Sequence, residues 1–266
     1  MLIFLMYNFA STYYCRDKLK KSMKTLVIIP SRLSATRLPG KPLLKINGLS
    51  VISHVLKKAQ EANIGEVFVA TGDQEIADDV KKNGGDALLT SKTHKTGTDR
   101  IYEAIKNLGR SDVELVMNLQ GDEPLIDIED IKNLNNEMIR SGGELGTLAS
   151  KITQRKMFQN ENIVKVVTNE SLNTSKFPLA LNFLRKSGEN VNNIYHHLGI
   201  YCYNYDTLKK FVSFKQSSNE IKNRLEQLRA LDNNININVA HAKSSSVGVD
   251  TVDDFEAIKK LMEYKI

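Results

Sequence analysis

The stretch Thr25-Leu26-Val27-Ile28-Ile29-Pro30-Ser31-Arg32-Leu33-Ser34-Ala35-Thr36-Arg37-Leu38-Pro39-Gly40-Lys41-Pro42-Leu43 decides the fold. Leu26–Ile29 is a short, continuous apolar run, the pattern of a parallel strand buried on both faces. Three cations follow it, Arg32, Arg37 and Lys41, with no acid among them, while Ser34, Thr36 and Gly40 allow a ligand close to the backbone. Open α/β sheets hold ligands at the carboxyl ends of their strands, and a polyphosphate needs cations and free N–H donors there. A solvated charged loop is the competing reading, but such loops usually mix signs.

Outward from this strand the chain alternates strand and helix. Val51–Ala62 has helical spacing through Val51, Ile52, Val55, Leu56 and Ala59, and Glu66–Thr71 reads as the next strand. Gln74–Lys82 is a helix stopped by Asn83-Gly84-Gly85, Ala87–Thr90 is a brief strand, and Thr98–Leu108 is again helical. Leu115–Leu119 is a buried strand. The alternation predicts an α/β protein with a doubly wound, mostly parallel sheet. The second half is less regular. Leu145–Ile152, Ile163–Thr168, His197–Tyr203 and Ile235–Ala240 read as strands, Glu220–Leu231 as one amphipathic helix, and Val252–Glu263 as a closing helix with Asp253 and Asp254 in its first turn. Residues 169–193 are polar and asparagine-rich and carry no assignable pattern.

A chain of 266 residues can bury one sizeable core with a subdomain. Its 41% hydrophobic and 26% charged content are those of a soluble globular protein. The net charge of +6 is concentrated in two places: residues 1–22, with Arg16, Lys18, Lys20 and Lys21 against Asp17, and the loop 32–41. The remainder is nearly balanced, so no basic stripe for nucleic acid exists. The two cysteines, Cys15 and Cys202, lie far apart with no CxxC or Cys/His cluster, which excludes a disulfide framework and a zinc site and suits a reducing cytoplasm. Met1–Ala10 is apolar but too short to span a bilayer, and its basic residues follow the apolar run where a signal peptide would have them first. Residues 1–22 are therefore expected to be a disordered extension or a start read too early, with 23–266 one domain. A peripheral membrane anchor through this extension is the alternative.

Two acids stand where chemistry is expected. Gln120-Gly121-Asp122-Glu123-Pro124 ends a buried strand, so the Asp122 carboxylate faces the crevice above the sheet. One or two carboxylates completed by phosphate oxygens and waters are how proteins hold Mg2+. An Asx turn before Pro124 is the structural alternative. Gly248-Val249-Asp250-Thr251 places a second acid before the last helix, where an ordinary N-cap competes with a metal role. Ser91–Arg100 leads a strand into a helix and offers hydroxyls, a His, an Arg and helix N–H groups suited to a nucleotide, or else it is a plain capping loop. His196-His197 at a strand start is a candidate, whereas His54 and His241 carry no functional reading.

Together these motifs resemble the 3-deoxy-manno-octulosonate (Kdo) cytidylyltransferases from Met23 to the C-terminus. The resemblance rests on Arg32–Leu43 (R-x-x-S-T-R-L-P-G-K-P-L, with Ala35 where Ser is usual), Ser91–Arg100, Gln120–Pro124, Val164–Val167, His197–Tyr201, Leu225–Arg229 and Gly248–Thr251. It implies a sheet of the nucleotide-diphospho-sugar transferase type, with a smaller sugar-binding and dimerisation subdomain at about 170–205. It implies that Arg32, Arg37 and Lys41 bind the triphosphate of CTP, that Thr98, Arg100 and Gln120 hold the cytidine, and that Asp122 and Asp250 coordinate Mg2+. Arg185, His197, Tyr201, Glu226 and Gln227 would contact the acidic octulosonate sugar, and Arg32, Lys41 and Asp122 would be the catalytic set. The implied protein is a cytoplasmic homodimer, independent of membrane and nucleic acid, that makes CMP-Kdo and pyrophosphate for lipopolysaccharide synthesis.

The departures fall on the sugar side. The family's A-L-Y-F-S-R element reads Ala180-Leu181-Asn182-Phe183-Leu184-Arg185, the I-P-W run after it is missing, T-D-D after the third strand reads Thr71-Gly72-Asp73, and an acid three residues before L-E-Q is Asn223. An 8-amino-Kdo or related 2-keto-3-deoxy acid enzyme is the close alternative. A catalytically silent nucleotide-binding regulator is the alternative of another class. UDP- and GDP-sugar enzymes typically open with Gly-Gly where this chain has Pro30-Ser31, and sialic acid cytidylyltransferases use R-x-G-S-K.

Overall fold

A computed structural model describes residues 24–34, 37–188, 191–245 and 248–263. The expectation for residues 1–22 lies outside this range. Strand β1 (Thr25–Ser31) enters the cation loop, which closes through a 3-10 turn at Lys41–Leu43. A two-stranded ribbon follows, β2 (Lys45–Ile46) and β3 (Leu49–Ser50), turned by Asn47 and Gly48, both at positive φ as a tight hairpin requires. Then come α1 (Val51–Ala62), β4 (Gly65–Thr71), α2 (Gln74–Lys82), β5 (Asp86–Leu89), α3 (Gly97–Leu108) and β6 (Leu115–Asn118). Caps fix the helix starts: Ser50 accepts from the Ser53 N–H, and Thr96 from the Asp99 N–H.

The second half contains α4 (Ile128–Ser141), β7 (Leu145–Ser150), β8 (Lys165–Thr168), β9 (Ala180–Leu184), β10 (Ile194–Asn204), α5 (Tyr205–Ser213), α6 (Ser218–Asn223), α7 (Leu228–Asp232), β11 (Ile237–His241) and α8 (Val252–Glu263). The main sheet runs β11-β7-β10-β6-β1-β4-β5, with β1, β4, β5 and β6 parallel to one another and β11 parallel to β7. Only β10 runs against its neighbours in this path. It shifts register against β7 between Leu198 and Tyr201; on its other side Tyr201–Asn204 pair with β6 while Ile194–His196 pair with β8, which pairs with β9. This antiparallel arm joins β8, β9 and the first part of β10 at one side of the main sheet.

Helices cover both faces, as the double winding demands. Val55, Leu56 and Ala59 of α1, Ile76 and Val80 of α2, and Ile131, Leu134 and Met138 of α4 pack on one face with Val27, Ile29, Met117 and Cys202. Ile101, Ala104 and Ile105 of α3 and Leu208 and Phe211 of α5 pack on the other with Leu26, Ile28, Val116 and Tyr203. Each fully buried aliphatic side chain contributes about 1.5–3 kcal/mol relative to exposure. A third, small core joins Ile46, Val51, Val249 and Ile258. It docks α8 against the hairpin and so brings the C-terminal segment back to the cation loop. The expected single helix over Glu220–Leu231 is two short ones, because Arg224 takes a left-handed conformation (φ 53°) between them.

Candidate active site

Gly40 adopts φ 70° at the mouth of the 3-10 turn, and its N–H returns to the Leu33 carbonyl at 3.1 Å, closing the cation loop. Pro42 is buried and fixes the next turn, so Lys41 is delivered inward with its side chain 14% exposed. Just past the end of the neighbouring strand β6, Gly121 follows Gln120 because a β-carbon there would lie 3.0 Å from the Pro30 carbonyl oxygen. The chain turns at that point and directs Asp122 toward Lys41. Thr251 and Asp254 cap each other at the start of α8, and the Val249 N–H donates to the Asp122 carbonyl at 2.8 Å. Those bonds hold Asp250 beside Asp122.

The result is a compact ionic cluster. The Lys41 ammonium donates to Asp122 Oδ2 at 2.5 Å, to the Val249 carbonyl at 2.8 Å and to Asp250 Oδ1 at 3.2 Å. Arg37 Nη2 reaches the other oxygen of Asp250 at 3.0 Å. Burial alone would lower the Lys41 pKa, but the two carboxylates more than reverse it and hold the ammonium above its ordinary value. Arg32, Arg37, Lys41, Arg100, Gln120, Asp122 and Asp250 all line one pocket of about 300 Å³, with Ser31, His94, Lys95, Thr96 and Gly97 completing the wall. Arg100 is itself buried, and its Nη1 donates to Thr90 Oγ1 at 2.6 Å and the Ser91 carbonyl at 3.2 Å. Gln120 Nε2 donates to the Gly199 carbonyl at 2.9 Å, tying the pocket to the register shift of β10.

The remaining expected residues gather elsewhere. Thr98 is buried beneath the pocket, its hydroxyl facing Tyr203 and Glu226. Tyr201 stands in an aromatic row, 5.6 Å from His197 and 6.2 Å from Tyr203 between ring centres, and its burial and the nearby carboxylates of Glu226 and Glu123 push the phenol pKa up. His197 is buried one ring further in, against Phe183, with Nε2 2.9 Å from Thr147 Oγ1, and burial pushes it down to about 3. Glu226 keeps one buried carboxylate oxygen without a hydrogen-bond partner among the described residues, and burial raises its pKa. Gln227 is buried at the start of α7. Arg185 is committed to three carbonyls, those of Asn223 at 2.7 Å, Glu161 at 2.9 Å and Arg224 at 2.9 Å, so its guanidinium clamps the turn between α6 and α7.

Sequence reasoning leaves out Ser31 and Asn118. Both are buried at strand ends with a side-chain oxygen unpartnered among the described residues, and Ser31 lines the pocket. A polar side chain at the inward end of an apolar strand is the signal that marks them.

The donor chemistry suits a hard cation. Asp122 and Asp250 offer only oxygens, and the ammonium between them marks where positive charge is favoured. Among the described residues no group of three or more His, Cys, Asp or Glu could hold a metal by itself, so Mg2+ here would draw further ligands from phosphate oxygens and water.

Several known proteins resemble this chain. Residues 26–237 match the cytidylyltransferase family. A 3-deoxy-manno-octulosonate cytidylyltransferase from Afipia carboxidovorans is 43% identical over 243 residues, covering 90% of this chain and 96% of that one. Its counterpart from Thermodesulfovibrio yellowstonii is 41% identical, covering 90% and 98%. Among solved structures, a CMP:2-keto-3-deoxy-manno-octonic acid synthetase complexed with CTP superposes with a TM-score of 0.82 at 34% identity, covering 91% of this chain and all of that one. A 4-diphosphocytidyl-2C-methyl-D-erythritol synthase from Anaerococcus prevotii, at 14% identity and a TM-score of 0.61, shares the fold.

Proposed function

The chain belongs to the 3-deoxy-manno-octulosonate cytidylyltransferase family, and from that premise we infer that it transfers CMP from CTP to the anomeric hydroxyl of Kdo, releasing pyrophosphate. The observation that carries this reading is the Lys41 ammonium held between Asp122 and Asp250 on the wall of a cation-lined pocket. The activated sugar suits lipopolysaccharide synthesis.

Transfer of a nucleotidyl group asks a protein mainly for positioning and charge stabilisation. Arg32, Arg37 and Lys41 bind the triphosphate in this reading, and Arg32 and Lys41 offset the charge that grows on the leaving pyrophosphate. Two unit charges about 4 Å apart interact by about 4 kcal/mol at an effective dielectric near 20, so each cation matters. Three side-chain cations do not balance a triphosphate, a sugar carboxylate and two aspartates. Asp122 and Asp250 would therefore hold Mg2+, two ions being favoured by that charge balance. When bound, Mg2+ supplies positive charge to the phosphates and makes a hydroxyl it touches easier to deprotonate, so no His base is required.

Arg100 and Gln120 face the cytidine from the pocket wall, and Thr98 supports them from below. The partly buried polar group of Tyr201, Glu226 and Gln227 takes the sugar, with His197 behind Tyr201. Arg185 contributes by holding the 223–224 turn beside Glu226. The protein is a homodimer in this reading, paired through the β8–β9 arm, where β9 is an edge strand and Leu181 is 60% exposed. Among the described residues no helix is long and apolar enough to cross a membrane. We assign it to the cytoplasm.

The experiment is pyrophosphate release from CTP and Mg2+ with a panel of 2-keto-3-deoxy sugar acids, Kdo and 8-amino-Kdo among them. Release with Kdo is expected. Release only with another acid would change the sugar, and CTP binding without release would make the chain a regulator.

A further inference from the structure

Asp73 stands immediately before α2 in extended backbone, where an Asp side chain ordinarily accepts a hydrogen bond from the first turn of its own helix. It makes no such bond. Its Oδ2 accepts instead from the Leu33 N–H at 2.8 Å, and its Oδ1 lies 3.8 Å from Lys92 Nζ. Thr71 Oγ1 accepts from the Asp73 N–H at 3.1 Å and fixes the reach. The Asp73 side chain is 17% exposed, so water competes little for this bond. Before it, Gly72 leaves no room for a side chain, since a β-carbon would meet Lys92 Cγ at 2.9 Å and Arg100 Nη1 at 3.3 Å.

Leu33 is the hinge of the cation loop. Its carbonyl takes the Gly40 N–H at 3.1 Å, and its N–H is taken by Asp73. Arg32 lies on one side of this double anchor and Lys41 just beyond its far end. Asp73 is not itself on the pocket wall, and its carboxylate faces the charges of Arg100, which is, and of Lys92.

We propose that Asp73 is a positioning residue for the nucleotide: by diverting its carboxylate from its own helix to the Leu33 N–H, it sets the loop that presents Arg32, Arg37 and Lys41 to the phosphates. This rests on the reading of the pocket as a CTP site. Asp73 touches no substrate itself and acts through the loop.

The test compares Asp73→Ala and Asp73→Asn by CTP titration in Mg2+, by steady-state kinetics and by thermal melting. The Ala variant is expected to raise the CTP Kd and KM about tenfold or more, as loss of a charge-assisted bond predicts. Its sugar KM and melting temperature stay near those of the wild type. Asn keeps an amide oxygen for the Leu33 N–H and should recover most of the CTP affinity. CTP affinity unchanged or tighter in the Ala variant would overturn the inference, as would an Asn variant as impaired as Ala. So would parallel loss of CTP affinity, sugar affinity and melting temperature, which marks a purely structural residue. A wild-type chain that binds no CTP would instead overturn the reading of the pocket, and the inference with it.

Discussion

Lys41 Nζ lies 2.5 Å from Asp122 Oδ2 while also holding Asp250, so one ammonium joins the first strand–helix loop, the end of β6 and the entrance to α8. Removing the Asp122 carboxylate leaves Asp250 and the Val249 carbonyl to hold Lys41, so the fold should survive. In the proposed reading what is lost is a metal ligand. Asp122→Ala is expected to lower kcat by about a thousandfold or more, a loss of several kcal/mol of charge stabilisation. Circular dichroism and melting should stay near wild type. Near-normal turnover of this variant would remove Asp122 from the reaction.

His197 gives a pH prediction. Burial pushes it from an ordinary 6.5 down to about 3, so the folded protein keeps it neutral while the unfolded chain protonates it. Its contribution to stability is therefore complete above about pH 6.5 and is lost as the pH falls toward about 3. His197→Gln should flatten the acid side of the stability–pH curve in that window, read by urea titration at several pH values. The same neutral ring predicts that kcat/KM between pH 6 and 8 carries no limb from His197, and a limb that vanishes in the Gln variant would contradict this.

The pocket residues that we assign to the nucleotide are legible in sequence because each sits in a short motif that folds locally. The sugar half depends on partners that no local pattern reveals. Arg185 has the composition of a carboxylate binder, yet its guanidinium spans three carbonyls supplied by the loop before β8 and the turn after α6. That turn exists because Arg224 is left-handed, which a helical hydrophobic pattern over 220–231 conceals. Helix α4 goes unread although Asp127 caps it and Ile131, Leu134 and Met138 recur at helical spacing. Strand β9 offers little signal at all, because Leu181 and Asn182 face solvent and only Ala180 and Phe183 are buried. Asp73 appears in sequence only within the departure Thr71-Gly72-Asp73, and its bond to the Leu33 N–H, 40 residues away, is not legible there.

The β9 edge yields a prediction about assembly. Leu181 is 60% exposed and Leu179 37%, on a strand that pairs only with β8 and makes one isolated bridge to β11 at Leu179. Unpaired edges and exposed leucines suit a second copy of the chain. Leu181→Asp is expected to shift sedimentation from dimer to monomer while leaving the far-ultraviolet spectrum unchanged. A wild-type chain that sediments as a monomer at working concentration would refute the dimer.

Glu220 and Arg229 form a forked pair at 2.8 and 2.6 Å, with side chains 4% and 3% exposed, and the Arg229 guanidinium stacks 4.7 Å over the Phe211 ring. Burial pushes the Glu220 carboxyl up, and Arg229 more than reverses this, so its pKa is lowered and the pair's stability is lost as the solution becomes acidic. Breaking one side strands a buried charge, so Glu220→Gln should destabilise by about 3–5 kcal/mol. The Gln side chain can still serve the capping box with Ser217, which separates loss of the pair from loss of the cap. The pair brackets the segment bearing Glu226 and Gln227, and Arg229 Nη2 lies 3.8 Å from Glu226 Oε1. Loosening it should therefore raise the sugar KM while the CTP KM, set by the loop across the sheet, stays put. Equal rises in both constants would place the nucleotide and sugar halves under one control and contradict the division drawn here.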